Sequence, residues 1–251
     1  MFDPHVDQVI AAIEPHHLVL DIGGWARPFN RANWVLDAEP YETRGHYGAS
    51  RPAQGGDREH FTKDTWVVRD ICDHTPYPFA DKQFDYVTCS HVLEDVRDPL
   101  WVCAEMRRIA KRGYIEMPSR EAETSRGTEP NQVGWSHHRW LATIDGTCIT
   151  FLMKYHRIHA HWRLSFPESH LRSLSQERQV QWLFWDDWFD VQERTIHGVD
   201  NIDGELAGYV QSVRPYNQVA VEVDRSARRA ANQVRRVGRW ARRRLASGSG
   251  G

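Results

Sequence analysis

A few short stretches of this 251-residue sequence carry side chains of the kinds that hold or transform a ligand. Asp21-Ile22-Gly23-Gly24 sets a carboxylate beside two glycines, where the backbone can approach a ligand closely. Asp37 stands sixteen positions later, where a carboxylate can accept hydrogen bonds from both hydroxyls of a ribose. Asp70-Ile71 and Ser90-His91 close two later apolar runs. Trp135-Ser136-His137-His138 offers two imidazoles able to take a proton. Glu116 lies among Tyr114, Ile115 and Met117, where an unpaired carboxylate is costly, so it calls for Arg120, Arg139 or a metal as partner.

These residues fall at the ends of predicted elements. Asp3-Pro4 reads as an N-cap followed by proline at the first helical position, and Phe2, Val6, Val9, Ile10 and Ile13 keep helical spacing until Glu14-Pro15. The run 18–22, ending in an acid and two glycines, reads as a buried parallel strand meeting a tight turn. Short apolar runs at 34–36, 66–68, 84–89 and 114–117 alternate with polar or helix-like segments, which predicts an α/β fold with a mostly parallel sheet and helices on both faces. Residues 98–110 form the clearest helix, again opened by Asp-Pro. Residues 41–64 show no apolar period and read as a surface excursion or a lid. Runs at 140–144 and 147–151 around Asp145-Gly146 predict a two-residue hairpin and a β-rich insertion, with antiparallel strands toward the C-terminus. In open α/β sheets ligands bind beyond the carboxyl ends of the strands, where the acids and glycines above collect.

In that order the motifs resemble the class I S-adenosylmethionine-dependent methyltransferases of the H-V-L-E-H type. The matching residues are Leu20-Asp21-Ile22-Gly23-Gly24, Val35-Leu36-Asp37, Asp70-Ile71, Tyr77-Pro78-Phe79-Ala80-Asp81, Ser90-His91-Val92-Leu93-Glu94-Asp95, and Glu105-Met106 ahead of Lys111-Arg112-Gly113. The resemblance spans about residues 15–118 and implies a Rossmann-like sheet with S-adenosyl-L-methionine as cofactor. It places Asp21, Gly23 and Gly24 on the methionine side, Asp37 at the ribose, Asp70 and Ile71 beside the adenine, and Ser90 and His91 near the transferable methyl. Two departures stand out: G-x-G-x-G appears as Gly23-Gly24-Trp25-Ala26, which suggests a shortened crossover closed by Pro28-Phe29, and Asp95 replaces the second histidine. A nicotinamide dehydrogenase fits worse, because the G-x-G-x-x-G fingerprint is missing.

With an activated methyl donor, the acceptor needs alignment and, if it is a hydroxyl, loss of its proton. His137 or His138 is the candidate base, His137 being slightly favoured, and Glu116 is the group that orients it or helps bind a divalent ion such as Mg2+. If His138 began a strand, the two rings would face opposite ways. No metal ligand is assigned. Six of the eleven tryptophans and six of the fourteen histidines lie between residues 135 and 188, and this aromatic, polar region points to a carbohydrate or polysaccharide precursor as acceptor for O-methylation. Alternatives are a small non-sugar metabolite as acceptor, or a non-catalytic protein that binds nucleic acid or a membrane surface.

The composition sets the outer bounds. With 40% apolar and 26% charged residues the chain can bury one core, and no apolar run is long enough to span a membrane. Four scattered cysteines make no disulfide framework, in keeping with the cytoplasm. Residues 225–244 hold nine arginines and no acid, whereas the whole chain carries −2, so an acidic body meets a basic tail suited to anionic surfaces. The expected organisation is a methyltransferase domain over 1–224, with a cofactor half at about 15–118 and an acceptor-binding region at about 119–224. A basic tail over 225–251 follows, and a homodimer is left open.

Overall fold

Alternation along the strands sorts the apolar residues onto two faces of one sheet. Leu20, Leu36, Val87 and Ile115 pack into one core, while Val19, Val35, Tyr86 and Tyr114 pack into another. The computed structural model describes residues 1–46 and 53–214. In chain order these form α1 (Asp3–Ala11), β1 (Val19–Ile22), β2 (Trp34–Asp37), β3 (Trp66–Val68), β4 (Tyr86–Ser90), α2 (Pro99–Ile109), β5 (Arg112–Pro118), α3 (Arg120–Glu123), β6 (Trp140–Asp145), β7 (Cys148–Met153), α4 (Glu168–Leu171), β8 (Val180–Asp186), β9 (Asp190–Glu193) and α5 (Val199–Val213), with short 3-10 turns between them. The main sheet has the order β3-β2-β1-β4-β5-β8; its first five strands are parallel and β8 runs antiparallel to β5. A second sheet joins β6, β7 and β9, with β6 and β7 antiparallel. This is the Rossmann-like arrangement expected, with the added β-rich part.

The first face is closed by α2, whose Val102, Cys103, Met106 and Ile109 are fully buried. Each large aliphatic side chain so buried contributes about 1.5–3 kcal/mol. Its N-cap is Asp98, which accepts the Trp101 N–H at 3.0 Å. The second face is covered more thinly. Residues 23–33, which link β1 to β2, contain Gly23, Gly24 and Pro28 and form no helix, so α1 with Val9, together with Ile13, Phe29 and Phe61, does the covering. The register puts Asp21 beside Thr88 and Ser90 beside Glu116 on this thinly covered face.

Three local expectations change. The N-cap of α1 is Phe2 without a side-chain bond, and Asp3 is already helical, because proline is equally at home one position further in. The hairpin pairs Asp145 with Cys148, so its turn residues are Gly146, at φ +57°, and Thr147. β3 ends at Val68, two residues short of Asp70. Met1–Ala207 form one compact unit and the chain from Gly208 another, of which residues 208–214 are described. The arginine-rich segment 225–244 lies outside the described residues, as do positions 47–52 of the 41–64 excursion. Among the described residues no helix is long and apolar enough to cross a membrane.

Candidate active site

At the carboxyl ends of β1, β2 and β4 the thinly covered face opens into a cleft of about 510 Å³. Gly23, Asp37, Ser90 and His91 line it from the strand ends, and Trp135, His137 and His138 line it from the segment before β6. Gln54, Glu94 and Asp95 belong to the same wall.

Asp21 and Gly24 stand behind this wall. The buried Asp21 carboxylate accepts the Thr88 hydroxyl at 2.7 Å and the Phe29 N–H at 2.9 Å, so it ties the helix-free crossover to β4, and burial pushes its pKa up to about 6. A Cβ on Gly24 would come within 2.4 Å of Asp21 Oδ2. Gly23 faces the cleft at φ +71°, and a Cβ there would meet Val92 Cγ2 at 2.2 Å, so both its conformation and its packing require glycine. Asp21→Ala is expected to lower stability by about 2–4 kcal/mol, because two buried donors lose their acceptor. A urea midpoint displaced by less than 1 kcal/mol equivalent would contradict this role.

Asp37 faces the cleft. Its Oδ2 accepts the Trp25 N–H and its Oδ1 the Glu39 N–H, each at 2.9 Å, which fixes the carboxylate and leaves lone pairs for a ligand. Burial raises its pKa. Asp70 and Ile71 lie outside the cleft wall. Asp70 binds Arg97 at 2.6 Å and the Cys72 N–H at 2.8 Å, and Ile71 is buried in the core.

Glu116 does have partners, but not those expected. Its fully buried carboxylate accepts Ser90 Oγ at 3.2 Å, the Phe2 N–H at 2.8 Å and the Tyr114 hydroxyl, and His91 Nε2 lies 3.0 Å away. The register sets Glu116 beside Ser90, and the left-handed backbone at His91, just past β4, lets its ring meet the same carboxylate, so Glu116 is partnered by His91 and not by His137, His138, Arg120 or Arg139. His91 sits at φ +57°, with Nδ1 3.3 Å from Glu94. Burial pulls the imidazole pKa down, but the bonds and charge of Glu116 and Glu94 outweigh it and raise it to about 9. Burial likewise acts to raise Glu116, yet His91, the Met1 ammonium and the Tyr114 hydroxyl hold it well below the usual carboxylate range.

This pair has a pH signature. An imidazole at about 9 in the folded chain and about 6.5 when unfolded contributes stability that is whole below about 6.5 and lost as pH rises through 9. Glu116, shifted the other way, keeps its contribution above about 4.3 and loses it only in strong acid. Stability measured by urea unfolding between about pH 6.5 and 9 should therefore slope downward in the native chain and flatten in His91→Gln; equal slopes in both would contradict the ion pair.

The two candidate histidines both reach the cleft. Residues 136–138 form a turn, closed by the His138 N–H on Trp135 O at 3.3 Å, and β6 begins only at Trp140, so strand alternation does not separate the rings. Their centroids stand 4.5 Å apart, edge to face. The His137 side chain is 61% exposed and that of His138 only 6%. His138 Nδ1 lies 2.8 Å from Glu123 Oε2, and Lys154 holds the other oxygen of that buried carboxylate while donating to Trp135 O at 2.6 Å. Glu123 and Lys154 carried no sequence signal, since they come from α3 and the end of β7. Asp95 did carry one: it is the departure from the second histidine of the motif, and it stands 3.6 Å from His138 Nε2.

Residues 50–115 match the family model of a methyltransferase domain. No curated protein sequence matches the chain. Among solved structures it is similar to a SAM-dependent methyltransferase from Thermotoga maritima, with 19% identity over 46% of this chain and 51% of that one and a TM-score of 0.31. It is also similar to the YcgJ protein from Bacillus subtilis, with 20% identity over 45% and 50% and a TM-score of 0.33. The chain spans about half the length of these structures. The cofactor that the sequence resemblance implies is S-adenosyl-L-methionine. The cleft suits it: Asp37 offers acceptor lone pairs for a sugar diol, and Gln54, which lines the same cleft, holds a buried Oε1 acceptor with no hydrogen-bond partner.

Proposed function

We propose that this chain, matched to the methyltransferase domain family over residues 50–115, transfers a methyl group from S-adenosyl-L-methionine to a hydroxyl on a carbohydrate or polysaccharide precursor. The observation that carries the reading is convergence. Gly23, Asp37 and Ser90, from the cofactor half at about 15–118, share one cleft with Trp135, His137 and His138, from the acceptor region at about 119–224.

When bound, the cofactor supplies a methyl already activated on a sulfonium, so the protein has to align the acceptor and relieve it of a proton. Asp37 holds the ribose hydroxyls and Gln54 the amino end. His138 is the general base of the pair. Donation of its Nδ1–H to Glu123 fixes the tautomer and leaves the Nε2 lone pair on the cleft side, where it takes the hydroxyl proton. The Glu123 carboxylate, held by Lys154, then steadies the imidazolium. His91 is withheld from that task, because with a pKa of about 9 it is already protonated near neutrality. Glu116 acts through His91 as a positioning residue. Trp135, stacked on His138 at 5.1 Å, adds an indole surface against which a sugar ring can pack.

Incubation with donor labelled in its methyl group and a panel of glycans, lipids and phenols tests the acceptor. The label should appear on glycan hydroxyls; label on phenols alone would remove the carbohydrate from the proposal.

A further inference from the structure

We propose that Asp95, His137 and His138 form a binding site for a divalent transition cation of the Zn2+ or Co2+ kind at the acceptor end of the cleft. Its consequence for turnover rests on the reading of His138 as base.

Asp95 Oδ1 lies 3.6 Å from His138 Nε2 and 3.9 Å from His137 Nε2. One donor atom from each of the three residues falls within a common 4.8 Å. Ligand atoms bound at about 2.1 Å around a tetrahedral cation stand roughly 3.4 Å apart, so both distances from Asp95 Oδ1 lie within about half an ångström of that spacing, and a rotation of the exposed His137 ring would bring in the third donor. Asp95 Oδ1 is buried and has no hydrogen-bond partner, which is costly for a carboxylate oxygen unless a cation takes it up. The adjoining Glu94 carboxylate is already matched by His91 Nδ1 at 3.3 Å, so it leaves Asp95 as the carboxylate of this wall still open to a cation.

The frame around the donors is built. His138 gives its other ring nitrogen to Glu123, the carboxylate–histidine arrangement that orients a metal-bound imidazole, and Lys154 anchors that carboxylate. The Arg139 and Trp140 N–H groups both donate to Glu94 O, at 2.7 and 3.2 Å, which binds the histidine segment to the backbone beside Asp95. Two imidazoles and one carboxylate favour a transition cation over Mg2+, and three protein ligands leave a position for water or an acceptor oxygen. The exposed His137 ring provides the way in.

A cation here occupies the Nε2 lone pair that proton removal requires, so the loaded protein should be the slow form and the cation a brake. The test uses the full chain, stripped with EDTA and titrated with Co2+ alone. One equivalent should bind with visible d–d absorption. Asp95→Asn and His137→Ala should each weaken binding at least tenfold. His16→Ala, in the exposed trio Glu14, His16 and His17, should leave it unchanged. The exposed His137 position guards against a variant that merely fails to fold. Absence of the absorption, native affinity in both site variants, or loss of binding in His16→Ala would overturn the site. Turnover followed in the same samples separates the two proposals. A fall of at least tenfold on loading, reversed by EDTA, supports both, whereas a rise on loading would keep the site and remove His138 as base.

Discussion

His138→Ala is expected to lower turnover by about 10²–10⁴-fold, the usual worth of a positioned proton acceptor, while S-adenosylhomocysteine still binds with nearly native affinity. The split follows from the geometry. His138 belongs to the acceptor end and is oriented by Glu123 at 2.8 Å, whereas the groups that would hold the cofactor come from the ends of β1 and β2. Glu123→Gln should fall between the native chain and His138→Ala, and its pH–rate profile should shift, because the amide can hold the ring but cannot stabilise an imidazolium as a carboxylate does. Turnover in His138→Ala equal to that of the native chain would refute the base.

The second large effect is on the cofactor itself. Asp37→Ala removes acceptors for two hydroxyl hydrogen bonds, each worth about 1.5–3 kcal/mol to a charged group, so affinity for S-adenosylhomocysteine should fall about 100-fold or more. The same carboxylate holds the Trp25 and Glu39 N–H groups, so the alanine variant also loosens the turn. Asp37→Asn keeps one acceptor oxygen but turns an NH2 toward either the Trp25 or the Glu39 N–H, so it should weaken binding by a smaller factor than alanine while still lowering thermal stability. Native affinity in both variants would remove Asp37 from the ribose.

Much of this was legible before the fold was known, for physical reasons that differ from residue to residue. That Asp37, Gly23 and Ser90 line one cleft is legible because strand ends can be read from short apolar runs closed by acids and glycines, and a parallel sheet brings those ends together. The His137-His138 pair stood out by residue type alone. Alternation would set the two rings on opposite faces only if His138 began a strand, and the pair lies in a turn, so that rule does not apply to it. Asp21 was placed with the ligand although its oxygens are spent on Thr88 and Phe29, a job created by the missing crossover helix. Glu116 was seen to need partners, yet these were fixed by the registration of β4 with β5 and by the N-terminal segment, neither of which leaves a local mark. Gln54, Glu123 and Lys154 reach the site or its supports from distant segments, and no spacing rule connects them.

The central claim is that the cleft between Asp37 and His138 takes a sulfonium methyl donor. Calorimetric titration of the folded full chain with S-adenosylhomocysteine tests it most directly. One equivalent should bind with saturable heat, and a nicotinamide dinucleotide should give none. A cooperatively folded sample that releases no heat with S-adenosylhomocysteine, or one that binds the dinucleotide in its place, would contradict it.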